Sequence, residues 1–449
     1  MDSRDWQAIV DDVPSPERTV DVAADASGDA WSLFAAGDVK YRHRTATDAP
    51  VGTALASRAR NADVATANLE APVAGYGEPI AKSGPTNDTD QEVPAILDAA
   101  GFDCVTLANN HAMDYGADGL FGTIAECEDS GLTTVGAGDT EDAAMMPVRF
   151  DVNGTSVAIF SFCEREFGTA DADAPGTAWL HHPETLERVR STEADVVVVN
   201  AHGGVEFVPV PPRHHRRRLR ELVDAGADLV VGHHPHVPQG WEVYDDAPIF
   251  YSLGNFLFPM PDRPSTQSGL AIDVTFADDA VSEVTLIPTE TVDDTVLAAG
   301  DRFDADERLS YVHRLAEVTA DSETHRAFWQ SVAVDVFQQR YTRWLRRAVA
   351  GDFVSQLTTP SQHVDRDVIW DADARGPQML ALLNLLRNRS HRSLMETALE
   401  VQTGKREDRR TEPVTREARA LLAETEDEPV NDRKSPVRET LGAALSKLS

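Results

Sequence analysis

The residues best suited to chemistry are the histidines of segment 232–236, Gly-His-His-Pro-His. The segment follows the apolar run 227–231, which is typical of a buried strand, and it precedes a second apolar stretch at 248–258. Three imidazoles in four residues fit a buried core poorly, whereas neutral imidazole is the commonest protein ligand of transition metals. The spacing therefore indicates a metal site to which other parts of the chain contribute.

Other ligand-type side chains also follow predicted strands. The predicted strands are residues 31–36, 63–67, 103–108 and 195–200, and a polar residue closely follows each of them. In α/β sheets the carboxyl ends of the strands form the edge at which sites are assembled. We therefore expect one site at this edge, built from Asp38, Glu70, Asn110, His111, His202, His234 and His236.

The donor types in this set favour a transition metal. Two carboxylates offer anionic oxygen, Asn110 offers an amide oxygen, and three histidines offer nitrogen. A mixed nitrogen and oxygen set without thiolate suits one or two ions of Mn²⁺, Zn²⁺ or Fe²⁺. Two ions roughly 3.5–4 Å apart, bridged by a carboxylate and a water, would supply a nucleophilic hydroxide. His111 would then be free to protonate a leaving group or to stabilise developing charge.

Structural explanations compete for most of these residues when each is taken alone. A Gly-Asp pair after a strand is commonly a turn, and Glu70 could be a solvated charge or a helix-dipole partner. Asn109 and Asn110 suit a turn, and His202 could be a satisfied loop histidine. The segment 232–236 is harder to explain in this way, and the joint pattern favours the metal site.

Two further segments are better explained by structure than by chemistry. His214 to Arg218 fall in an amphipathic helix predicted at 213–225, and we expect them to present a solvated basic face. That face could attract an anionic substrate if it borders the site. His181 and His182 precede a proline and are expected to form a loop pair.

Alternating strand and helix patterns must position the site. Over residues 29–290 they predict an α/β sandwich, in which Asn-Gly at 153–154 marks a hairpin turn. Residues 1–28 are expected to be a polar lead-in and residues 300–404 a helical extension. Residues 405–449 are expected to be a charged and largely mobile tail with one or two short helices.

Composition limits the class of protein. The 449 residues include 41 basic and 75 acidic side chains, which give a formal net charge of −34. This excess argues against nucleic acid and anionic membrane surfaces as partners and fits a salt-adapted acidic surface. The three cysteines are expected to be buried free thiols. Neither a leader peptide nor an apolar run of membrane-spanning length is found, so the sequence predicts a cytoplasmic protein.

The order of the motifs resembles that of a known family. The shared motifs are Gly-Asp at 37–38, Asn-Leu-Glu at 68–70, Leu-Ala-Asn-Asn-His at 107–111, Asp-Tyr-Gly at 114–116, Gly-Ala-Gly at 136–138, His-Gly-Gly-Val-Glu at 202–206, the histidine segment at 232–236 and Ile-Phe-Tyr-Ser-Leu-Gly-Asn-Phe at 249–256. Together they resemble the CapA family of capsule-synthesis proteins, which is associated with poly-γ-glutamate biosynthesis. That family is similar to the calcineurin-like metallophosphoesterases. The resemblance covers about residues 30–290 and does not extend to the C-terminal third.

This resemblance implies a fold and a set of roles. The fold would be a metallophosphoesterase-like sandwich of two mixed sheets flanked by helices, with a helical C-terminal extension. His111 would be the catalytic histidine, and Glu70 stands where the phosphoesterases carry a bridging aspartate. His233 would support its neighbours. The metal ligands carried over by motif are Asn110, His202, His234 and His236.

The sequence also departs from the phosphoesterase pattern. Asp38 lacks the histidine of the Asp-x-His motif, so one metal would lack a ligand unless His43 or another group replaces it. The basic residues of segment 40–43 would bring positive charge to the mouth of the site. The family often has an aromatic residue at the position of Gly203, so a wider pocket is expected here.

The function implied is a metal-dependent hydrolase of phosphoesterase type, in which metal-activated water attacks a small or polymeric anionic substrate in capsule or poly-γ-glutamate biosynthesis. A second hypothesis is an accessory protein of capsule assembly that binds an anionic polymer in its metal cleft without cleaving it. The lack of a membrane anchor weighs against this second role. A third hypothesis is a metal-stabilised scaffold whose helical C-terminal region binds a protein partner.

Overall fold

The computed structural model describes residues 18–22, 30–42, 50–260, 262–277, 279–298, 305–349 and 372–425. In these ranges two mixed β-sheets lie face to face, helices cover their outer faces, and further helices follow. His43 and the charged residues after 425 fall outside them. The arrangement is the predicted sandwich of two mixed sheets with a helical C-terminal region.

The first sheet combines parallel strands with an antiparallel hairpin. Its nine strands within the described ranges are β1 (Arg18–Asp21), β2 (Trp31–Val39), β3 (Val64–Leu69), β4 (Cys104–Thr106), β5 (Thr133–Val135), β14 (Asn255–Leu257), β15 (Ser268–Ala277), β16 (Ala280–Val292) and β17 (Thr295–Ala298). The order is β1-β16-β15-β2-β3-β4-β5, with β14 beside β2 and β17 beside β16. Strands β2 to β5 run parallel to one another, whereas the β15–β16 hairpin pairs antiparallel with β2.

The second sheet carries the histidine-bearing strands. Its six strands within the described ranges are β7 (Val148–Val152), β8 (Thr155–Cys163), β10 (Val196–His202), β11 (Leu229–His233), β12 (Trp241–Tyr244) and β13 (Ala247–Phe250). The order is β12-β13-β11-β10-β8-β7, and β8, β10, β11 and β13 run parallel. A small separate pair is formed by β6 (Ala137–Gly138) and β9 (Gly176–Thr177). The β7–β8 hairpin turns at Asn153 and Gly154, both with positive φ, as the Asn-Gly pair predicts.

Apolar residues from the inner faces of both sheets form a common core. Leu33 and Ile272 of the first sheet belong to the same cluster as Ile159, Val198 and Val231 of the second. All five are at most 1% exposed. The valine run of β10 is buried on both faces because helices cover the outer side, which explains its near-continuous β-branched sequence.

Helices cover the outer faces of both sheets. The first sheet packs against α1 (Thr53–Asn61), α2 (Val93–Ala100) and α3 (Gly116–Asp129). The second sheet packs against α4 (Glu141–Ala144), α5 (Thr185–Arg190) and α6 (Arg213–Asp224). The three cysteines are buried free thiols, as the sequence predicts. The glycines that end α2 and follow α3 have positive φ, which is the conformation a helix C-terminus requires.

The C-terminal helices form a further layer with its own apolar cluster. They are α7 (Ala305–Ala320), α8 (Ser322–Val336), α9 (Thr342–Val349), α10 (Ala372–Arg387), α11 (Arg389–Gln402) and α12 (Glu412–Ala423). Their cluster contains Phe328 and Trp329 and includes Val208, from the segment after β10. The helical region therefore packs directly beside the predicted site. Among the helices of the described ranges, none has the length and apolar content required to cross a bilayer.

Some boundaries differ from the sequence prediction. Strand β1 lies where the sequence predicts a polar lead-in, and it pairs with β16. Helix α12 is one of the short helices expected in the charged segment after residue 404, and it buries Leu421 and Leu422. Strands β2 and β10 run on through Asp38 and His202 because parallel pairing continues to those residues. The candidate ligands thus lie in the last residues of the strands and are held by the sheets themselves.

Candidate metal centre

The seven predicted site residues come together where the parallel strands end. Side chains from the ends of β2 and β3 meet side chains from the ends of β10 and β11, between the two sheets. All are between 0 and 8% exposed: Asp38, Glu70, Asn110, His111, His202, His234 and His236. The structure therefore brings every predicted ligand into one buried region.

Glu70 joins two groups of candidate ligands. One group combines it with His202 and His234, the other with Asp38 and His236, and the ligand atoms of each group lie within 4.8 Å of one another. Oε1 of Glu70 is 3.5 Å from Nε2 of His202 and 3.7 Å from Nε2 of His236. Nδ1 of the same His236 ring is 3.7 Å from Oδ2 of Asp38. A carboxylate in this position could contact ions on both sides.

Several atoms of these groups are buried without a hydrogen-bond partner. They are both carboxylate oxygens of Glu70 and both ring nitrogens of His234. Burial, and then the charges of Asp38 and Glu206, hold the pKa of Glu70 well above its usual range. An ionised carboxylate without partners is strongly destabilising in a protein interior. A divalent cation would satisfy these atoms, so the residues fit a metal site.

Asp38, in contrast, has donors on both carboxylate oxygens. Nδ2 of Asn68 donates to Oδ1 at 2.8 Å, and the backbone N–H of His234 donates to Oδ2 at 3.2 Å. Nδ1 of His233 lies 3.2 Å from Oδ1. Burial would raise the pKa of Asp38, but the contact with His233 and the charge of His236 outweigh burial and lower it. Asp38 is therefore held as an anion, the form that binds a cation.

The backbone of the histidine segment has an uncommon conformation. His234 and His236 have φ values of 99° and 58°, in a region of backbone conformation that residues other than glycine rarely adopt. The turn is held by the N–H of Phe207, which donates to the carbonyl of Pro235 at 2.8 Å, and the Phe207 ring stacks on His236. Such strain persists where surrounding contacts fix it, and it concentrates at functional sites.

Asparagines orient the rings of two histidines. Oδ1 of Asn255 lies 2.9 Å from Nδ1 of His236, so the ring donates there and turns Nε2 toward Glu70. Nε2 of His202 lies 3.1 Å from Oδ1 of Asn110, which brings this amide oxygen to the ligand set. Neither Asn68 nor Asn255 is among the site residues that the sequence predicts. Both lie inside the shared motifs, and that position is the signal that points to them.

His111 lies beside Asn110 in a network of charged and polar groups. Its Nδ1 is 2.6 Å from Oδ2 of Asp114, and its Nε2 is 3.0 Å from Nδ2 of Asn87. Lys82 donates to the other carboxylate oxygen of Asp114. Burial lowers the pKa of His111 to about 4 against the opposing effect of Asp114. The ring is therefore neutral at pH 7, with its proton on Nδ1.

Lys82 borders His111, with Nζ 3.2 Å from Nδ1, and Lys40 borders Asn87. Of these two lysines, the sequence predicts only Lys40 at the mouth of the site. Lys40, in the basic segment after Asp38, donates to Oδ1 of Asn87 at 3.0 Å. Lys82 and Asn87 lie in the long loop between β3 and α2, whose sequence gives no sign that it folds over the site. The two ammonium groups could hold an anionic group next to His111.

Two expectations about the surroundings of the site are wrong. A side chain at Gly203 would place Cβ 2.7 Å from Cγ of Glu164 and 3.0 Å from Cε1 of His215, so the glycine makes room for these groups and does not widen the pocket. Helix α6 does not present a solvated basic face, because Arg216 is buried and pairs with Glu242 at 3.0 Å. The buried acceptor explains why this arginine leaves the surface.

Comparison with known proteins identifies relatives for part of the chain. It is 36% identical over 210 residues to the "Capsule biosynthesis protein CapA" of Bacillus anthracis, which covers 44% of this chain and 51% of that protein. It is 38% identical over 176 residues to the "PGA biosynthesis protein CapA" of Bacillus subtilis, which covers 38% of this chain and 46% of that one. The chain thus spans about half the length of these relatives.

Similarity to solved structures is weaker. A 5'-nucleotidase from Candida albicans superposes on 64% of this chain and 57% of its own, with 13% identity and a TM-score of 0.35. The family assignment rests instead on the sequence. The model of the family described as "Bacterial capsule synthesis protein PGA_cap" matches residues 28–260, which is more than half of the chain. The chain therefore belongs to this family of bacterial capsule synthesis proteins.

Proposed function

We propose that the chain is a divalent-metal-dependent hydrolase with phosphoesterase-type chemistry. The observation that carries the proposal is the buried carboxylate of Glu70, which is common to two ligand groups and has no hydrogen-bond partner. The site would bind one or two ions of Mn²⁺, Zn²⁺ or Fe²⁺. The proposed ligands are Asp38, Glu70, Asn110, His202, His234 and His236.

Bound ions would polarise a phosphoryl oxygen and lower the pKa of water. The proton transfers would fall to His111, whose Nε2 is free of a proton at neutral pH and whose Nδ1–H is fixed by Asp114. An anionic substrate beside this ring favours its protonated form. His111 could then donate a proton from Nε2 to the leaving oxygen.

The substrate would be a small or polymeric anion. Lys82 lies beside His111 and Lys40 beside Asn87, so basic groups border the site in a chain whose net charge is strongly negative. The relatives are named for capsule and PGA biosynthesis. We therefore propose a role in the synthesis of an anionic capsule polymer, with a phosphoester or a related bond as the target.

A non-hydrolytic role is the second candidate. The low pKa of His111 leaves this ring unprotonated when no substrate is bound, and an accessory protein that only holds an anionic polymer would need no proton donor. In that case the metals and the two lysines would serve as a binding cleft.

A substrate panel on matched variants separates the two roles. Phosphomonoesters, phosphodiesters and γ-glutamyl polymers would be assayed at high salt with the wild type, His111→Ala and, as a control, His313→Ala, which changes a partly exposed histidine on α7. We expect metal-dependent turnover that falls by about 10²–10⁴ in His111→Ala and is unchanged in the control. Metal binding without turnover on any substrate would favour the binding role. Turnover that is equal in His111→Ala would remove this residue from the mechanism.

A further inference from the structure

A second group of ligand-type side chains lies on the other side of β10 from the metal centre. It consists of Glu164, which follows β8, His181, which precedes α5, and His214 with His215 in the first turn of α6. This group, the Glu164 cluster, shares no residue with the metal centre. The N–H of Glu164 donates to the carbonyl of His202 at 2.9 Å, so the two groups are neighbours through the backbone.

One oxygen of Glu164 is approached by more groups than it can accept. Nε2 of His214, Nδ1 of His215 and Nε2 of His181 lie 3.2, 3.5 and 3.8 Å from Oε1. The hydroxyl of Ser390 also donates to this oxygen at 2.8 Å. A carboxylate oxygen has two lone pairs, so several donors cannot be satisfied at once.

The surplus leaves buried ring nitrogens without partners. They are Nε2 of His181, Nδ1 of His214 and both nitrogens of His215, whose side chain is fully buried. Each such atom destabilises the fold when it is cut off from water. The rings converge on an anion, and a cation between them would turn the unpartnered Nε2 of His181 from a cost into a ligand.

We propose that Glu164, His181 and His214 form a second metal site for Zn²⁺ or a similar divalent ion. Their ligand atoms lie within 4.8 Å of one another. Two histidines and one glutamate are a known zinc set in which water takes the fourth position, and bonds of about 2.0–2.2 Å in a tetrahedral arrangement place ligand atoms roughly 3.4 Å apart. The separations of 3.2 and 3.8 Å from Glu164 need little adjustment to reach this value.

An ion can reach the cluster from solvent. His181 and His214 line a cavity of about 150 Å³ that also borders Arg217, Arg218 and Arg389. The first two arginines pair with Glu221, which reduces their charge toward the cavity. Access therefore does not require the sandwich to open.

Arg389 is the group that opposes metal binding. Its guanidinium lies 3.2 Å from Nδ1 of His181 and donates to it, which leaves the proton on Nε2. A metal on Nε2 requires the proton on Nδ1, so Arg389 must turn away when the ion binds. Replacement of this donor by an acceptor should therefore tighten binding.

The site would tie the C-terminal helices to the sandwich. The N–H and hydroxyl of Ser390, at the start of α11, donate to the two oxygens of Glu164 at 3.1 and 2.8 Å. An ion on Glu164 would fix the segment after β8, the loop before α5 and the start of α6 under α11. We assign it a structural role, separate from the chemistry proposed at Glu70.

Metal stoichiometry of the full-length chain tests the proposal. After metal is stripped with a chelator, zinc equivalents would be counted by mass spectrometry, and Co²⁺ would be used as an absorbance probe of tetrahedral coordination. The double variant His181→Ala/His214→Ala should bind one equivalent fewer than the wild type, whereas His182→Ala, in the same cavity, should match the wild type. Arg389→Gln should bind zinc at least several-fold more tightly. His234→Ala/His236→Ala should keep the zinc equivalent that the Glu164 cluster binds, even if the metal centre at Glu70 no longer binds an ion.

Equal stoichiometry in the wild type and His181→Ala/His214→Ala would overturn the second site. If that variant does not fold, anomalous diffraction at the zinc absorption edge, measured on wild-type crystals grown with zinc, tests the site directly. A peak in bonding distance of Nε2 of His214 and Oε1 of Glu164 is expected. Its absence overturns the proposal.

Discussion

At the residue scale, the candidate ligands differ in how far other groups already satisfy them. Two hydrogen-bond donors reach the carboxylate of Asp38, whereas the side chains of Glu70 and His234 have no hydrogen-bond partner. The sequence predicts these residues because their types and spacing are unusual. It does not predict which of them are left without partners, because the answer depends on side chains such as that of Asn255, which come from other elements. The groups that orient the ligands are as necessary to the site as the ligands themselves.

Asn255→Ala tests this dependence on orienting groups. Without the acceptor at 2.9 Å, the His236 ring can rotate or change tautomer, and we expect metal affinity to fall by about 10–100-fold. Asn255→Asp keeps an acceptor oxygen and should retain most of the affinity. Competition with a chelator of known affinity measures the difference. Equal affinity in the alanine variant would show that His236 needs no support from this residue.

At the element scale, the site depends on contacts between the sandwich and the C-terminal helices. Pro211 lies between β10 and α6, and its carbonyl accepts a hydrogen bond of 2.8 Å from Nε2 of His325 on α8. The helix patterns of the C-terminal region were predictable from sequence, but this docking was not, because a buried histidine and an exposed one look the same in a helical pattern. The contact has a consequence for pH dependence.

His325 is expected to make folding sensitive to acid. Burial, and then the charge of Arg216, lower the pKa of His325 to about 3, whereas an unfolded histidine titrates near its ordinary value of about 6.5. The unfolded chain therefore binds the proton first, and this contribution to stability is complete above about pH 6.5 and is lost as the pH falls toward 3. At pH 5 the loss is about 2 kcal/mol.

Urea unfolding of the wild type and His325→Gln at pH 7.5 and pH 5 checks this value. The wild type should lose about 2 kcal/mol more than the variant over this interval. His313→Gln, which changes a partly exposed histidine, should follow the wild type. A variant that loses as much stability as the wild type would show that His325 is protonated equally in both states.

At the scale of the whole molecule, charge and order of elements are the properties that the sequence predicts best. The excess of acidic residues is read directly from composition, and the sandwich follows from strands and helices that alternate with clear turn signals. The long loop that carries Lys82, and the burial of Arg216 in α6, were not predictable, since both depend on partners distant in sequence. The cellular compartment and a protein partner for the C-terminal helices stay predictions.

The net charge predicts that salt stabilises the fold. Raising NaCl from 0.1 to 1 M shortens the screening length from about 10 Å to about 3 Å, which weakens repulsion among the acidic side chains. We expect the melting temperature to rise by several degrees. Sucrose at matched osmolality, which acts by exclusion from the surface without screening charge, should give a smaller rise. An equal effect of both solutes would contradict an electrostatic origin.

The most direct test of the central claim is the melting temperature of the wild type and Glu70→Gln, each with and without Mn²⁺ or Zn²⁺. Without metal, Glu70→Gln should melt higher, because it removes a buried carboxylate that lacks hydrogen-bond partners. With metal at about 100 times its dissociation constant, the wild type should gain about 2.7 kcal/mol, and the variant should gain much less. The order of the two proteins should therefore reverse. An equal gain in both, or none in the wild type, would contradict a metal centre built around Glu70.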